Sequence, residues 1–452
     1  MQARHATVTI VGAGPRGLSV ALYLLCEGQG MLRDVQVLER HAAAASWTAP
    51  AMPEAMRLRS PALHDLVAWH DPWRTWTFAR FREAVLGGPP ARPASLAALY
   101  GVSRREYHAY LQEVAERLGC VVPGAEVVAI ERPQSAGADA RSSTAADGLD
   151  LLVRCGGALR RLHSRWVVLA TGMVGWGGGE FRRLPEEMTG GLEDGVHFSH
   201  SHGLTIAPLA NAESVAVLGG GQSAAEAVAR LLAETRVPVV WWLARRPPRP
   251  HLYPVPSQWF NDRHCGRFAG LPAEARRRLL AGALAWGPTI SPFLHRELLH
   301  SPQPRLRTRF GCDVGAALPW RRRVRLMLRD GDMAQVDHLI LATGYAFDVR
   351  RLPFLRPVLG DLLVDGPYPV LDEDFRAVTR AGAAPLPLFF TGAAAVLRDG
   401  PRQLFVNSSG VTAKRILAGM QRLFTTERSG NGSRSLQPAF LQRHESVRTS
   451  KP

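Results

Sequence analysis

Lysine is almost absent from this sequence, although the chain is strongly basic. Lys414 and Lys451 are the only lysines among 55 basic residues, and the formal net charge is +16. A charge of this size is typical of proteins that bind nucleic acids. Here the arginines are scattered along the chain, and no nucleic-acid-binding motif accompanies them. We attribute the charge to a composition rich in arginine and alanine, and we expect no nucleic-acid partner.

Cysteine is scarce and widely spaced. The cysteines form no Cys-x-x-Cys pair, which excludes a zinc site and a redox-active disulfide of the short-spaced kind. No iron–sulfur signature is present, and no metal site is predicted. Free thiols are typical of a reducing cytosol. The five residues are Cys26, Cys120, Cys155, Cys265 and Cys312.

Long apolar runs are also missing. No run approaches the length that a membrane span needs, and the apolar segment near the N-terminus lacks a signal-peptide cleavage site. We therefore expect a cytoplasmic protein with no membrane partner. The length of 452 residues, with 46% hydrophobic and 21% charged residues, predicts a globular chain of two or three domains.

Two glycine-rich turns are present, about two hundred residues apart. Each follows an apolar strand, 7–11 or 215–218, and each leads into a helical segment. Their G-x-G-x-x-[G/A] spacing permits a tight turn, close approach of a pyrophosphate and close helix–strand packing. Two such turns predict two nucleotides bound face to face. The cofactor-binding candidates are Gly12, Gly14, Pro15 and Gly17 in the first turn and Gly219, Gly221, Gln222 and Ser223 in the second.

Residues at the ends of the following strands indicate which nucleotides bind. Glu39 ends the strand 35–39, where a carboxylate accepts hydrogen bonds from ribose hydroxyls and repels a 2′-phosphate. The first turn therefore suits FAD or NAD better than NADP. Arg245 follows the strand 239–244 and can pair with a 2′-phosphate, which favours NADPH over NADH at the second turn.

The domain organisation follows from an Ala-Thr-Gly sequence that ends two buried strands, at 170–172 and 342–344. Such small residues let the backbone approach a cofactor closely, so Thr343, Gly344 and Tyr345 are cofactor-binding candidates. We predict an α/β fold with two Rossmann-like dinucleotide-binding domains, the NADPH domain being inserted into the FAD domain. The predicted ranges are 1–204 and 330–426 for the FAD domain, 205–329 for the NADPH domain and 427–452 for a flexible tail.

Three local features complete the prediction. Ser103 and Glu106 form a capping box at the start of a helix over 103–118. Residues 133–148 are expected to form a flexible hairpin tip. A helix opened by Asn407-Ser408-Ser409 runs through Leu423. Its free N–H groups can face the flavin, or they can simply be capped.

Several of these motifs together resemble the flavin-dependent N-hydroxylating monooxygenases, the ornithine and lysine N-oxygenases of siderophore pathways. The first turn is similar to the family's FAD motif. The segment 219–226, Gly-Gly-Gly-Gln-Ser-Ala-Ala-Glu, is similar to its NADPH motif, and 337–345 is similar to its D-x-x-x-[LF]-A-T-G-Y signature. Shorter likenesses lie at 64–67 and 260–262.

The resemblance implies an enzyme with FAD and NADPH as cofactors. Its substrates are O2 and a primary amine, either an amino acid or a diamine without a carboxylate. In such enzymes the amine attacks a flavin hydroperoxide and is N-hydroxylated. The resemblance also suggests a homo-oligomer and a role in siderophore or other secondary-metabolite biosynthesis.

The site residues that the resemblance implies differ in part from the family pattern. Asn261 is expected to hydrogen-bond both NADP+ and substrate. His64 stands where ornithine-type members place a lysine that holds the substrate carboxylate; it could bind that carboxylate, accept a proton or be a structural histidine. Arg59 could bind the carboxylate at any pH. The C-terminal segment Asn407-Ser408-Ser409 has no clear match to the family pattern; Ser408 is a candidate for cofactor binding and Ser409 for substrate binding. A second substrate asparagine, expected near 287, is replaced by Gly287-Pro288.

Two other functions remain open from the sequence. One is oxygenation of carbon or sulfur, although the F-x-G-x-x-x-H fingerprint of those enzymes is not matched at 198–203. The other is a non-catalytic flavoprotein with a degenerate substrate site, which the changes at His64 and Gly287 would fit.

Overall fold

The computed structural model describes residues 4–28, 34–47, 56–59, 65–68, 74–86, 102–133, 148–173, 179–181, 192–193 and 196–430. Within these ranges it has the predicted α/β architecture, built on two sheets of largely parallel strands. No helix of the described residues is long and apolar enough to cross a membrane.

The strands of the described residues are β1 (Arg4–Val11), β2 (Val35–Glu39), β3 (Val121–Pro123), β4 (Ala125–Glu131), β5 (Leu149–Cys155), β6 (Ala158–Leu169), β7 (Gly179–Phe181), β8 (Phe198–His200), β9 (Ser214–Leu218), β10 (Val239–Ala244), β11 (Arg249–Pro250), β12 (Thr289–Ile290), β13 (Leu306–Phe310), β14 (Val314–Trp320), β15 (Arg323–Leu328), β16 (Met333–Val336), β17 (His338–Leu341), β18 (Tyr345–Phe347), β19 (Val364–Asp365), β20 (Tyr368–Pro369) and β21 (Leu388–Phe390).

The α-helices of the same ranges are α1 (Pro15–Glu27), α2 (Phe78–Leu86), α3 (Arg104–Leu118), α4 (Gln222–Glu234), α5 (Asp262–Ala269), α6 (Ala273–Leu284), α7 (Pro292–Leu299), α8 (Arg356–Leu359), α9 (Val396–Asp399) and α10 (Ser409–Gly430).

The first sheet has the strand order β3-β2-β1-β6-β5-β4. β1 lies between β2 and β6, parallel to both, with Val8 opposite Val35 and Trp166. β6 is long enough to pair antiparallel with β5 along its first half and parallel with β21 over its last three residues. β1 therefore lies in the buried middle of a sheet and its apolar residues pack on both faces, as is usual for parallel strands. The first glycine turn follows directly after the carboxyl end of β1.

The second sheet has the order β13-β10-β9-β17-β8, and all its neighbouring strands are parallel. β8 and β17 fall outside the range 205–329 predicted for the second domain, so that prediction is too narrow at both ends. The reason is that β9 needs a parallel partner on each side, and β17 is that partner. The second Ala-Thr-Gly thus ends a strand of the second sheet, and the chain leaves this sheet only afterwards.

The two connections between the sheets run side by side. β7, on the way from the first sheet to the second, pairs antiparallel with β18, on the way back.

A small lobe consists of the 3₁₀ turn Ser257–Phe260, α5 and α6. α5, α6 and the 3₁₀ turn before them lie within the predicted second domain, but their core is separate from that of either sheet. The lobe instead packs against α9 of the first domain. Its buried apolar side chains are Val255, Trp259, Cys265, Phe268, Leu280 and Ala283, in contact with Val396 and Leu397.

Local predictions have mixed outcomes. The capping box is confirmed: Ser103 Oγ accepts from Glu106 N at 3.1 Å, and Ser103 N donates to Glu106 Oε2 at 2.9 Å. The predicted flexible tail is wrong at its start, because α10 continues past residue 426 to Gly430. Residues 431–452 and the core of the predicted hairpin tip, 134–147, lie outside the described residues.

Candidate functional site

The first glycine turn is closely packed on one side and open on the other. Gly12 has φ +104°, and a Cβ atom there would lie 2.6 Å from the carbonyl oxygen of Ala170. A Cβ at Gly17 would lie 1.9 Å from the Gly12 oxygen, so neither position tolerates a side chain. At Gly14 no atom of the described residues lies within 4 Å of a Cβ atom. The turn therefore leaves open space at the N-terminus of α1, where helix N–H groups attract an anion such as a pyrophosphate.

The carboxylate of Glu39 is fixed beside this turn. Its Oε2 accepts from Ala13 N at 2.8 Å and its Oε1 from His41 N at 3.1 Å. The predicted position of Glu39, at the carboxyl end of β2 next to the glycines, is therefore observed.

The second glycine turn repeats the same packing. Gly219 has φ +143°, and a Cβ there would lie 2.2 Å from the carbonyl oxygen of Ala342, while at Gly221 nothing lies within 4 Å. In both turns, the carbonyl of the Ala-Thr-Gly alanine occupies the space that a side chain would need. The Ala-Thr-Gly sequence therefore supports the turn directly.

Gln222 and Ser223 begin α4 as predicted, but the carboxamide of Gln222 is already engaged. Its Nε2 donates to Glu226 Oε1 at 3.0 Å, and its Oε1 accepts from Ser291 N at 2.8 Å, which fixes α4 to the start of α7. A phosphate contact from the Gln222 side chain stays a prediction. Ser223 lies at a cavity of about 40 Å³ with His202 and Tyr345. Burial raises the pKa of Tyr345 to about 12, so its hydroxyl stays protonated.

A cavity of about 560 Å³ opens at the second glycine turn. It brings together residues predicted for the second nucleotide and adds several that were not predicted. Arg245 is exposed at the carboxyl end of β10, and Arg246 lies beside it. Gly287 and Pro288 line this cavity too. The lining residues are Leu218, Gly219, Gly220, Gly221, Ala244, Arg245, Arg246, Leu284, Gly287, Pro288, Asp313, Val314, Arg329, Ala342, Thr343 and Gly344.

A third cavity, of about 190 Å³, lies between the two domains. Arg104 from α3 and Glu226 from α4 meet across it in an ion pair of 3.4 Å between Arg104 Nη2 and Glu226 Oε2. Their side chains are only 14% and 13% exposed. We call this space the interdomain cavity. Its lining residues are Arg57, Leu58, Arg59, Arg104, Gln222, Glu226, Leu252, Tyr253, Pro254 and Phe405.

Arg59, predicted to contact substrate, lines the interdomain cavity and also binds the second domain. Its Nη1 donates to Thr289 O at 3.1 Å, and its Nη2 donates to His251 O at 2.5 Å and to Thr289 Oγ1 at 3.0 Å. Its Nε is buried and has no hydrogen-bond partner among the described residues. Burial lowers the pKa of Arg59 to about 10, and the Glu226 carboxylate opposes this shift, so the guanidinium is charged at neutral pH.

Asn261 has a structural role in this conformation. It is exposed and caps α5, with Oδ1 accepting from His264 N at 3.1 Å. It lines none of the three cavities described above. Its contact with NADP+ and substrate stays a prediction.

His64 lies outside the described residues, and its role stays a prediction. The adjacent carboxyl group of Asp65 accepts from Phe78 N at 2.5 Å, at the start of α2. Burial raises the pKa of Asp65 to about 7, against the effect of that hydrogen bond.

A buried polar network, which sequence reasoning missed, lies behind the first glycine turn. Asp399 is 1% exposed and accepts from Arg402 Nε at 2.6 Å, Arg402 Nη2 at 2.8 Å, Gln403 Nε2 at 2.8 Å and Arg415 Nη1 at 3.1 Å. Arg402 Nη1 also donates to Asp262 Oδ1 at 2.5 Å, across the boundary to the lobe. The carboxylates raise the pKa of Arg402 above its ordinary value, against burial, so this guanidinium is charged. We call this group the Asp399 network.

The Asp399 network reaches the glycine turn through Arg16. The Nη1 of Arg16 donates to Gln403 Oε1 at 2.9 Å, and its Nη2 donates to Ser408 Oγ at 2.7 Å. The Ser408 hydroxyl also donates to Arg402 O at 2.8 Å. Ser408, predicted to bind the cofactor, is thus occupied by bonds within the protein.

Two polar atoms remain available beside it. Ser409 Oγ and Asn407 Oδ1 are buried at the N-terminus of α10, and neither has a hydrogen-bond partner in the part of the chain that the structure describes. Unpaired buried polar groups are costly, so a bound group that supplies their partners is favoured there. Together with the open sides of the two glycine turns, they fit the two dinucleotides that the sequence predicts.

Comparisons with known proteins agree with this geometry. The sequence profile of the family described as L-lysine 6-monooxygenase/L-ornithine 5-monooxygenase matches residues 4–285. Among the curated proteins, none matches this sequence.

Solved structures with the same fold cover nearly the whole chain. The ornithine N-hydroxylase of Kutzneria sp. 744, in a structure with reduced FAD, NADP+ and L-ornithine, has a TM-score of 0.74 at 21% identity and covers 93% of this chain and 99% of its own. The ornithine hydroxylase of Pseudomonas aeruginosa has a TM-score of 0.73 at 22% identity over 92% and 99%. The FAD-bound cadaverine monooxygenase of Erwinia amylovora has a TM-score of 0.68 at 20% identity over 97% and 99%.

Alanine substitutions test the first glycine turn. We expect Gly17→Ala to destabilise the protein by about 1–3 kcal/mol, because its Cβ overlaps the Gly12 carbonyl. Gly14→Ala is the matched control for folding: its Cβ meets open space, so the melting temperature without cofactor stays unchanged. FAD affinity should nevertheless fall about tenfold, because the methyl group occupies the space of the pyrophosphate. Unchanged FAD affinity in Gly14→Ala would mean that the cofactor lies elsewhere.

Removing one charge tests the Asp399 network. Asp399→Asn leaves the buried Arg402 short of its anion, and we expect the free energy of unfolding in urea to fall by about 3–5 kcal/mol. The control is Asp330→Asn, which removes a half-exposed carboxylate paired with Arg309 and should change stability little. An equal loss of unfolding free energy in the two variants would show that Asp399 does not stabilise the fold more than an exposed carboxylate does.

Proposed function

Because the chain belongs to the L-lysine 6-monooxygenase/L-ornithine 5-monooxygenase family, we propose that it is an FAD- and NADPH-dependent monooxygenase that hydroxylates the nitrogen of a primary amine. The observation that carries this proposal is the pair of open glycine turns on two sheets of largely parallel strands, with a small charged cavity between the domains. The relatives named above act on ornithine or on cadaverine, so membership supports the reaction and leaves the substrate open.

The reaction balances with one reductant and one molecule of oxygen. A primary amine, O2, NADPH and a proton yield a hydroxylamine, NADP+ and water. Bound FAD would supply the chemistry, taking a hydride from NADPH and activating O2 so that one oxygen atom reaches the amine nitrogen.

The FAD would be held by the first domain. The N–H groups at the start of α1 would bind its pyrophosphate where Gly14 leaves space, and Glu39 would accept from its ribose hydroxyls. Ser409 Oγ and Asn407 Oδ1 would take their missing hydrogen bonds from the flavin or from a substrate beside it.

The NADPH would be held by the second domain. Its pyrophosphate would lie at the N-terminus of α4 beside Gly219 and Gly221, and Arg245 with Arg246 would bind the 2′-phosphate. Thr343 and Gly344 complete the wall of this cavity.

The amine would react in or beside the interdomain cavity, and it must be neutral to act as a nucleophile. The guanidinium groups of Arg57 and Arg59 favour the neutral form of a nearby amine, because like charges disfavour protonation. Leu252, Pro254 and Phe405 are apolar walls that limit the entry of water. On the resemblance alone, we also propose a homo-oligomer in the cytoplasm.

A panel of amines tests the proposed reaction. With FAD-loaded protein, NADPH and air, we expect one class of amine to give a hydroxylamine, while peroxide release falls in proportion. The readouts are NADPH absorbance, a peroxide assay and mass spectrometry of the product. A thioether and a ketone are included as controls for sulfur and carbon oxygenation; an oxygenated product from these alone would contradict N-hydroxylation.

The choice of NADPH over NADH tests the second domain. In Arg245→Ala we expect the KM for NADPH to rise about tenfold, because a charge-assisted bond to the 2′-phosphate is lost, while the KM for NADH stays the same. The matched control is Arg236→Ala, an exposed arginine before the other end of β10. Equal losses with both nucleotides would place Arg245 away from the 2′-phosphate.

A further inference from the structure

The interdomain cavity has an unbalanced charge. Among the described residues that line it, Arg57, Arg59 and Arg104 are cationic and Glu226 is the only anion. The lining therefore carries a formal net charge of +2. A cavity with this excess of positive charge attracts anions and repels cations.

The ion pair between Arg104 and Glu226 balances one positive charge of the lining against its one negative charge. Glu226 is held by Arg104 and by the Gln222 carboxamide, so its negative charge is already matched. Arg59 donates only to neutral partners, the carbonyl groups of His251 and Thr289 and the Thr289 hydroxyl. Within the described part of the chain, neither Arg59 nor Arg57 forms an ion pair. Two positive charges therefore remain unmatched.

Arg57 is the more accessible of these two cations. Its side chain is exposed, and among the described residues its guanidinium carbon lies 6.0 Å from the centre of the Phe293 ring. Its donors are thus not committed to a carbonyl group, unlike the Nη groups of Arg59. Arg57 is the side chain best placed to bind an anionic group of a ligand in two parallel hydrogen bonds.

A nucleotide phosphate is one possible source of that anion, but the geometry favours the substrate. Phosphates of dinucleotides lie at helix N-termini beside glycine turns, and the second glycine turn lines the 560 Å³ cavity. The interdomain cavity, of about 190 Å³, does not include those glycines.

We propose that the substrate of the N-hydroxylation is an acidic amino acid, with one carboxylate bound by Arg57. This inference rests on the proposed function. With its amine neutral, as the reaction requires, an acidic amino acid carries two negative charges, which match the two unmatched arginines. Ornithine, lysine and diamines still carry one ammonium group when the reacting amine is neutral. Glu226 is the only described carboxylate in the lining that could bind this ammonium group, and Glu226 is already paired with Arg104.

Matched substrates test the charge class. FAD-loaded protein is assayed with NADPH and aspartate, glutamate, ornithine, lysine, putrescine or cadaverine, with hydroxylamine as the readout. We expect kcat/KM for aspartate or glutamate to exceed that for every other amine by at least tenfold. Equal or better turnover of ornithine, lysine or a diamine would overturn the inference and leave the proposed function intact.

Variants at Arg57 test its role. We expect Arg57→Gln to raise the KM for the acidic substrate about tenfold or more. Its kcat and its KM for NADPH should stay within twofold of the parent values. Arg57→Lys keeps the positive charge and should restore part of the lost affinity. Arg356→Gln, an exposed arginine in the first domain, is the control and should change neither KM. A rise in the KM for NADPH with an unchanged amine KM would show that the anion is a phosphate, and the inference would fail.

A binding measurement separates this inference from the reaction itself. Calorimetry with FAD- and NADP+-loaded protein should show binding of aspartate or glutamate, weakened by Arg57→Gln, and no binding of putrescine at the same concentration. If the acidic amino acids bind in this way but no hydroxylamine is formed, the proposed function is contradicted, while the inference that the cavity binds an acidic ligand is supported. Binding of putrescine in preference to the acidic amino acids would contradict the inference whatever the enzyme produces.

Discussion

The buried carboxylate of Asp399 is the constraint on which the site depends. It is 1% exposed and it neutralises Arg402, itself 3% exposed. A buried charge without its partner costs several kcal/mol, so these groups can exist only together. Through Gln403 the carboxylate positions Arg16 in the first glycine turn, and through Arg402 it reaches Asp262 on the lobe. One buried charge therefore fixes the glycine turn, the N-terminus of α10 and the lobe relative to one another.

Both glycine turns depend on a second constraint, which is steric. The alanine carbonyl at the end of the neighbouring strand lies where a Cβ of Gly12 or Gly219 would be. Strand, turn and helix are therefore held at a separation that only glycine allows, and the opposite side of each turn stays open for a ligand. The same main-chain contact occurs at both turns, from Ala170 at the first and from Ala342 at the second.

Features set by neighbouring residues were predictable from the sequence. The strands 35–39 and 239–244 have the predicted bounds, and the capping box at Ser103 forms as predicted, because periodicity and capping act over a few residues. The Asp399 network was not predictable, since Arg16 and Gln403 are separated by 387 positions. The boundaries of the second domain were misjudged for the same reason: β8 and β17 join its sheet through pairing with strands distant in sequence.

Several residues that were predicted to bind a ligand instead form hydrogen bonds within the protein. Asn261 caps a helix, Ser408 joins the Asp399 network and Gln222 ties two helices together. Polar side chains that suit a ligand also suit a helix end, and a motif alone does not separate the two roles. Among the described residues, Ser409 and Arg57 have hydrogen-bonding groups that are not used within the protein, and these residues are therefore the better candidates for ligand binding.

The central claim is that one atom of O2 reaches an amine nitrogen, and isotope labelling tests it most directly. The FAD-loaded protein is supplied with NADPH, the preferred amine and 18O2, and the product is analysed by mass spectrometry. The account predicts a hydroxylamine that contains one 18O atom bound to nitrogen. A product without label, or with the label on carbon, would contradict it.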